Sequence, residues 1–159
     1  MKLSGSINNS LFLLLSSFIT LSLYSQDQAN SNVFVPRVGQ AGKDVIWIPT
    51  PPELVDKMLE IAGVTEKDYV IDLGSGDGRT VIAAAKLGAR AVAIEYNHDM
   101  VEMSKKKAEE AGISERTEFI QADLFEYDLS EATVITLFLL PEINLRLRPK
   151  LLNLKPGTR

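Results

Sequence analysis

The chain contains no cysteine, one histidine and one tryptophan in 159 residues. The absence of cysteine excludes disulfides and thiolate metal sites, and it leaves the redox compartment unmarked. His98 stands alone, which is too little for an imidazole zinc centre or a Ser-His-Asp relay, so no metal is expected. Positive charge is not in excess either. The 17 Lys and Arg stand against 21 Asp and Glu, a net charge of −4. Non-specific nucleic-acid binding draws on a basic field that this composition does not supply. Internal repeats and low-complexity tracts are also missing. What the chain does have is apolar content, 45%, enough at this length for one hydrophobic core.

That content is unevenly placed. Residues 11–24, LFLLLSSFITLSLY, form an apolar run after a polar start carrying Lys2. The run is short for a membrane span and suits the central region of a signal peptide. Residues 1–25 therefore read as a signal peptide or N-terminal anchor. A working signal places the rest outside the cytoplasm, exported or periplasmic; otherwise the chain is membrane-anchored or cytoplasmic. Membrane contact is expected only if the segment is retained. Residues 26–44 are polar and read as a flexible linker.

The globular domain is expected over residues 45–159. Thr50-Pro51-Pro52-Glu53 reads as a helix start with Thr50 as N-cap. Strands are expected at 69–73, 91–94, 117–120 and 132–139, the last nearly all apolar, as a strand buried on both sides should be. Amphipathic helices separate them, the one after residue 97 being capped by Asn97. Lys105-Lys106-Lys107 in that helix reads as a solvated outer face. A last helix opens at Pro141, with Pro149 predicted to kink it. Such alternation means an α/β domain, a Rossmann-like doubly wound parallel sheet with right-handed crossovers.

Function is concentrated at the expected carboxyl ends of the strands. Asp72-Leu73-Gly74-Ser75-Gly76-Asp77-Gly78-Arg79 follows the first strand and opens a helix. Glycines at alternate positions let the backbone adopt φ > 0 and approach a ligand, and the helix start offers free N–H groups. Glu95 ends the second strand, 17 residues after Gly78, where a carboxylate can accept both hydroxyls of a ribose. Tyr96 can pack on a purine, and Asp123 at the third strand's end can accept an exocyclic amine. Asp72 can hold an ammonium. Three successive acids suit an adenosine carrying a cationic group better than a pyrophosphate. Arg79 also stands where the dinucleotide fingerprint wants its third glycine.

In that order, DLGSGDGR, IEYN, QADLF and ITLFLLPE resemble class I S-adenosylmethionine-dependent methyltransferases. WIPTPPELVDKML upstream resembles the Pro-Thr-Pro segment of a subgroup that includes mitochondrial protein-lysine methyltransferases. The pattern from the first strand is similar to the Dot1-like subgroup. The resemblance covers residues 46–159 and implies S-adenosyl-L-methionine as cofactor. It implies that Asp72, Gly74, Gly76 and Gly78 hold the methionine portion, Glu95 the ribose, and Asp123 with Leu124 the adenine. Thr50 would line the methionine end. The acceptor is not named by these motifs and is a protein lysine or a small molecule; no catalytic residue is singled out. Phe138-Leu139-Leu140-Pro141 departs from the Asn/Asp-Pro-Pro-Tyr of nucleobase amino methyltransferases, which argues against DNA adenine methylation. The family's sheet has seven strands, and Lys155-Pro156-Gly157 falls where a fifth would be introduced. The sheet is accordingly expected to be C-terminally incomplete, truncated after the fourth strand and following helix, with residues 134–138 as an exposed edge. Two rival readings are a non-catalytic nucleoside-cofactor-binding domain and an NAD(P)-dependent oxidoreductase. The latter lacks both the third glycine and a clear Tyr-Lys or His pair.

Overall fold

Along the two central strands, side chains alternate between faces, and a separate core forms on each side. Val70, Ala91 and Ala93 face one way; Ile71, Leu73, Val92 and Ile94 face the other. The computed structural model describes residues 34–159, so the signal or anchor expected at 1–25 lies outside them. Pro36–Arg159 forms one unit. Its strands are β1 (Tyr69–Leu73), β2 (Arg90–Glu95), β3 (Thr117–Gln121) and β4 (Val134–Leu137). Its helices are α1 (Pro52–Ile61), α2 (Arg79–Lys86), α3 (His98–Glu110) and α4 (Pro141–Leu152). Among the described residues no helix is long and apolar enough to cross a membrane.

The sheet is parallel, in the order β3-β2-β1-β4. Alanines dominate its first face, which lets helices approach closely. Val55 and Leu59 of α1, Val81 and Ala84 of α2, and Val101 and Ala108 of α3 pack there. The second face is branched and bulkier, and it meets Ile143 and Leu147 of α4 with Leu129 and Ala132. This is the expected Rossmann-like doubly wound arrangement. β1, β2 and β3 run outward in one direction, and the chain then returns to place β4 on the other side of β1. A crevice consequently opens beyond the carboxyl ends of β1 and β4, the usual ligand position in such sheets.

Several local expectations are corrected. Thr50 does not cap α1. The residue before a proline is held out of the helical region, so Pro52 forces Pro51 into the extended N-cap position (ψ 141°), and the cap lacks a side-chain hydrogen bond. Pro149 does not break α4, which runs through it to Leu152. It sits in the last turns, where buried Ile143 and Leu147 already hold the helix on the sheet. β4 is four residues long, with Val134 and Thr136 buried but Ile135 and Leu137 half-buried, so it is not covered equally on both sides. Nor is its outer edge bare: Arg159 N donates to Thr133 O at 3.0 Å, and Ile135 N donates to Arg159 O at 2.9 Å. The Arg159 guanidinium also bonds Ala62 O at 2.7 Å and pairs with buried Asp68. Residues 36–44, read as part of a linker, instead turn back on the unit. Gly39 N donates to Trp47 O and Trp47 N to Gln40 O, both at 2.8 Å.

Candidate functional site

The glycine loop crosses the end of β2. Gly74 N and Ser75 N both donate to Ile94 O, at 2.9 and 3.1 Å, which fixes the loop over the crevice. Gly76 has φ +57°, and a Cβ there would lie 2.5 Å from Trp47 Nε1. Glycine is thus required twice over at position 76, by conformation and by the indole beside it. Gly78, the N-cap of α2, is explained differently. A Cβ would meet the Phe119 ring and Ser104 at 2.8 Å, so its absence lets the start of α2 pack beneath α3 and β3.

Asp77 and Arg79 form the loop's internal brace. Arg79 Nε and Nη2 each donate to Asp77 at 2.8 Å, and Lys107 Nζ donates to the same carboxylate at 2.8 Å. Arg79 and Lys107 outweigh the cost of burial and hold the Asp77 carboxyl below its ordinary pKa. Lys107 therefore departs from the solvated face expected for its run and reaches this loop instead. Arg79 Nη1 then donates to Thr50 O at 2.8 Å, tying the Pro-Thr-Pro segment to the loop.

Three acids stand at three strand ends, each in a different state. Asp72 is buried on β1 and accepts from Thr136 Oγ1 of β4 at 2.6 Å, across the point where the chain reverses. Burial lifts its pKa to about 6; the Thr136 hydroxyl opposes that rise and the nearby charge of Glu95 adds to it. Ser75 and Thr80 also favour the ionised form, although Ser75 Oγ, itself buried, makes no well-formed hydrogen bond. Glu95 accepts from Gly76 N through Oε2 and from Asn97 N through Oε1, both at 2.9 Å. Each of its oxygens keeps a lone pair for a further donor. Asn97 in turn caps α3, as expected, accepting from Met100 N at 3.2 Å. Asp123 accepts from Lys43, which lowers its pKa, and from Phe125 N at 2.9 Å.

Two cavities meet over these groups. The larger encloses about 330 Å³ and is lined by Glu95, Tyr96, Asp123 and Leu124 on one side and by residues 40–48 on the other. The smaller, about 30 Å³, is lined by Thr50, Asp72, Ser75 and Gly76. Trp47, Ile48, Gly74 and Phe138 line both and so mark their junction. Of the residues expected at a cofactor site, all but Gly78 line one cavity or the other. Sequence reasoning missed Lys43, Ser75, Thr136 and Leu139, whose Cδ2 would touch a Cβ at Gly74 at 2.8 Å. Ser75 was legible from its place between two loop glycines. Lys43 was not, being 80 residues from its partner.

A polar end closed by a buried acid and an unpartnered hydroxyl, joined to a mostly apolar chamber with an acid at its rim, defines a site for a nucleoside with a cationic appendage. Comparison with known proteins carries this further. A family model described as the ANTKMT methyltransferase domain matches residues 72–159, and one described as a DNA methylase matches residues 24–106. The two overlap only over 72–106, the first two strands, the loop and part of α3. A protein-lysine N-methyltransferase of Saccharolobus islandicus (strain REY15A) is 46% identical over 118 residues, 72% of this chain and 73% of that protein. An ATP synthase lysine N-methyltransferase of Xenopus laevis is 40% identical over 105 residues, 66% of this chain but 46% of its own length. An RNA methyltransferase from Salinibacter ruber, solved with S-adenosyl-L-homocysteine, is 56% identical with a TM-score of 0.68, covering 70% of this chain and 74% of that one. The chain belongs to the class I S-adenosylmethionine-dependent methyltransferases, in the ANTKMT methyltransferase domain family. Its cofactor is S-adenosyl-L-methionine.

Proposed function

We propose that the chain transfers a methyl group to the side-chain amine of a lysine in a protein acceptor. When bound, S-adenosyl-L-methionine supplies a methyl made electrophilic by its sulfonium. In this reading Asp72, Gly74 and Gly76 hold the cationic end, with Gly78 setting the loop and Thr50 lining the same end. Glu95 takes the ribose, and Tyr96, Asp123 and Leu124 the adenine.

The observation that carries the acceptor assignment is the junction of the two cavities. The residues shared there, Trp47, Ile48, Gly74 and Phe138, are all uncharged. Apolar walls exclude water and disfavour an ammonium, so an arriving lysine gives up its proton to solvent and presents a neutral amine. A dedicated base is then unnecessary. Glu142, the nearest acid after β4, is exposed in the first turn of α4. The relatives named as lysine methyltransferases support the same reading.

An RNA acceptor is the second reading, favoured by the Salinibacter relative. Against it, the cations lining the two cavities, Lys43 and Arg79, are both already paired with acids, which leaves no free charge there for a phosphate backbone. Incubating the chain with radiolabelled S-adenosyl-L-methionine and extract treated with nuclease or with protease separates the two. Nuclease-resistant label recovered as N-methyllysine supports the proposal; label lost to nuclease overturns it. An export or anchoring role for residues 1–25 is also proposed, on the apolar run at 11–24, and is tested by fractionation and N-terminal sequencing.

A further inference from the structure

Residues 40–48 roof the larger cavity, and Lys43 fastens the roof to the sheet side. Its ammonium pairs with Asp123 Oδ2 and lies 4.6 Å from the centroid of the Tyr96 ring. Asp123 Oδ1 is engaged separately by Phe125 N. A single side chain therefore holds both the free carboxylate oxygen and the aromatic face assigned above to adenine. Next to it, Asp44 makes a longer contact, 3.7 Å, with Arg146 of α4. The roof's other end is fixed, since Trp47 lies on Gly76 and Thr50 O is held by Arg79.

We propose that residues 40–48 form a cofactor-gated lid and that Lys43 is its latch, competing with adenine for Asp123 and Tyr96. The proposal rests on the cofactor reading above. The latch is weak enough to open. The Lys43 and Asp123 side chains keep 36% and 25% of their exposure, and pairs so solvated contribute little to stability. Adenine entering the chamber replaces Lys43 on the Tyr96 face and takes the carboxylate oxygen with its exocyclic amine. The lid then pivots about its anchored end and carries Trp47 with it.

Trp47 is the chain's single tryptophan, so its fluorescence reports lid movement directly. The 159-residue chain is mixed rapidly with S-adenosyl-L-homocysteine, and the equilibrium affinity is measured by calorimetry. In Lys43→Met, which keeps the apolar stem, association should be about two- to fivefold faster and binding tighter, the worth of a solvated ion pair. Raising the salt concentration should speed association in the wild type and not in the variant, because salt weakens the latch it screens. Unchanged or weaker binding by Lys43→Met would overturn the latch, the second result meaning that Lys43 contacts the ligand. Calorimetric binding by the wild type without a change in Trp47 fluorescence would overturn the lid while leaving the cofactor site intact. An absence of binding by the wild type in either measurement would overturn the cofactor reading itself, and the lid with it.

Discussion

Asp72 is a buried acid whose ionisation opposes folding, and replacing it with asparagine should separate stability from binding. Its pKa rises from the ordinary 3.8 to about 6 on folding, because burial disfavours the carboxylate. A carboxyl whose folded pKa is raised binds its proton more tightly in the native state, so stability from this group falls as pH climbs through the window between those values. The penalty is about 3 kcal/mol at pH 7.5 and only about 0.5 kcal/mol at pH 4, from 1.36 kcal/mol per unit. An asparagine here would keep the side-chain volume, and its carbonyl can still accept from Thr136 Oγ1, which stands 2.6 Å from the Asp72 carboxylate. Asp72→Asn should therefore melt on the order of 10 °C higher than wild type near pH 7.5 in the absence of ligand. The advantage should shrink towards zero as pH approaches 4. Because the two proteins share every other titrating group, Asp68, Asp77 and Asp123 cancel in the difference. Unfolding in urea or by heat across this pH range measures it, and calorimetry with S-adenosyl-L-homocysteine should show binding largely lost in the variant. A variant destabilised equally at pH 4 and pH 7.5 would refute the reasoning, since it would show that Asp72 matters for shape rather than charge.

Wild-type affinity for S-adenosyl-L-homocysteine should rise between pH 5 and pH 7, with a proton released on binding that calorimetry in buffers of different ionisation enthalpy detects. The ligand's ammonium draws the raised pKa of Asp72 down. Gly76→Val should abolish binding while circular dichroism shows most helix retained, because a side chain at φ +57° is strained and meets the Trp47 indole. Glu95→Ala should weaken binding at least about tenfold through lost charge-assisted hydrogen bonds. A 2′,3′-dideoxy analogue should bind wild type and Glu95→Ala nearly alike, and a strong wild-type preference for it would count against the ribose assignment. Asp77→Ala should cost on the order of 2 kcal/mol in denaturant unfolding, since it leaves two cations without their shared partner.

The strands and the site acids were legible because each depends on neighbours close in sequence. Alternation in Tyr69–Leu73 and the glycine spacing after it place Asp72, and Asn97 marks the start of α3. What was not legible depends on contacts made across the fold. Thr50 looked like a cap, since Thr-Pro-Pro-Glu satisfies the local rule, yet the second proline moves the helix start past it. Lys43 sits in a stretch whose polar composition reads as a linker, and only the folded sheet brings Asp123 and Tyr96 beneath it. Lys107 belongs to a run of three lysines, and nothing in the run distinguishes the one that reaches Asp77.

The same contacts give a physical reason for the cofactor class. In a dinucleotide site the loop and helix start are kept bare so that a pyrophosphate can supply the negative charge. Here the loop carries its own anion, Asp77, buried at the start of α2 and already neutralised by Arg79 and Lys107. Arg79, at the position of the missing third glycine, is thus committed inward, to Asp77 and to Thr50 O, and offers no charge to a phosphate. The acids that do face the two cavities include Asp72, Glu95 and Asp123, on three adjacent strands or just beyond their ends. A pyrophosphate brought among them would meet three carboxylates and, among the described residues lining the cavities, no free cation. An adenosine with an ammonium and a sulfonium meets charge of the right sign along its length. The departure from the dinucleotide fingerprint is therefore more than a lost glycine, because the arginine in its place reverses the sign of the ligand the loop can hold.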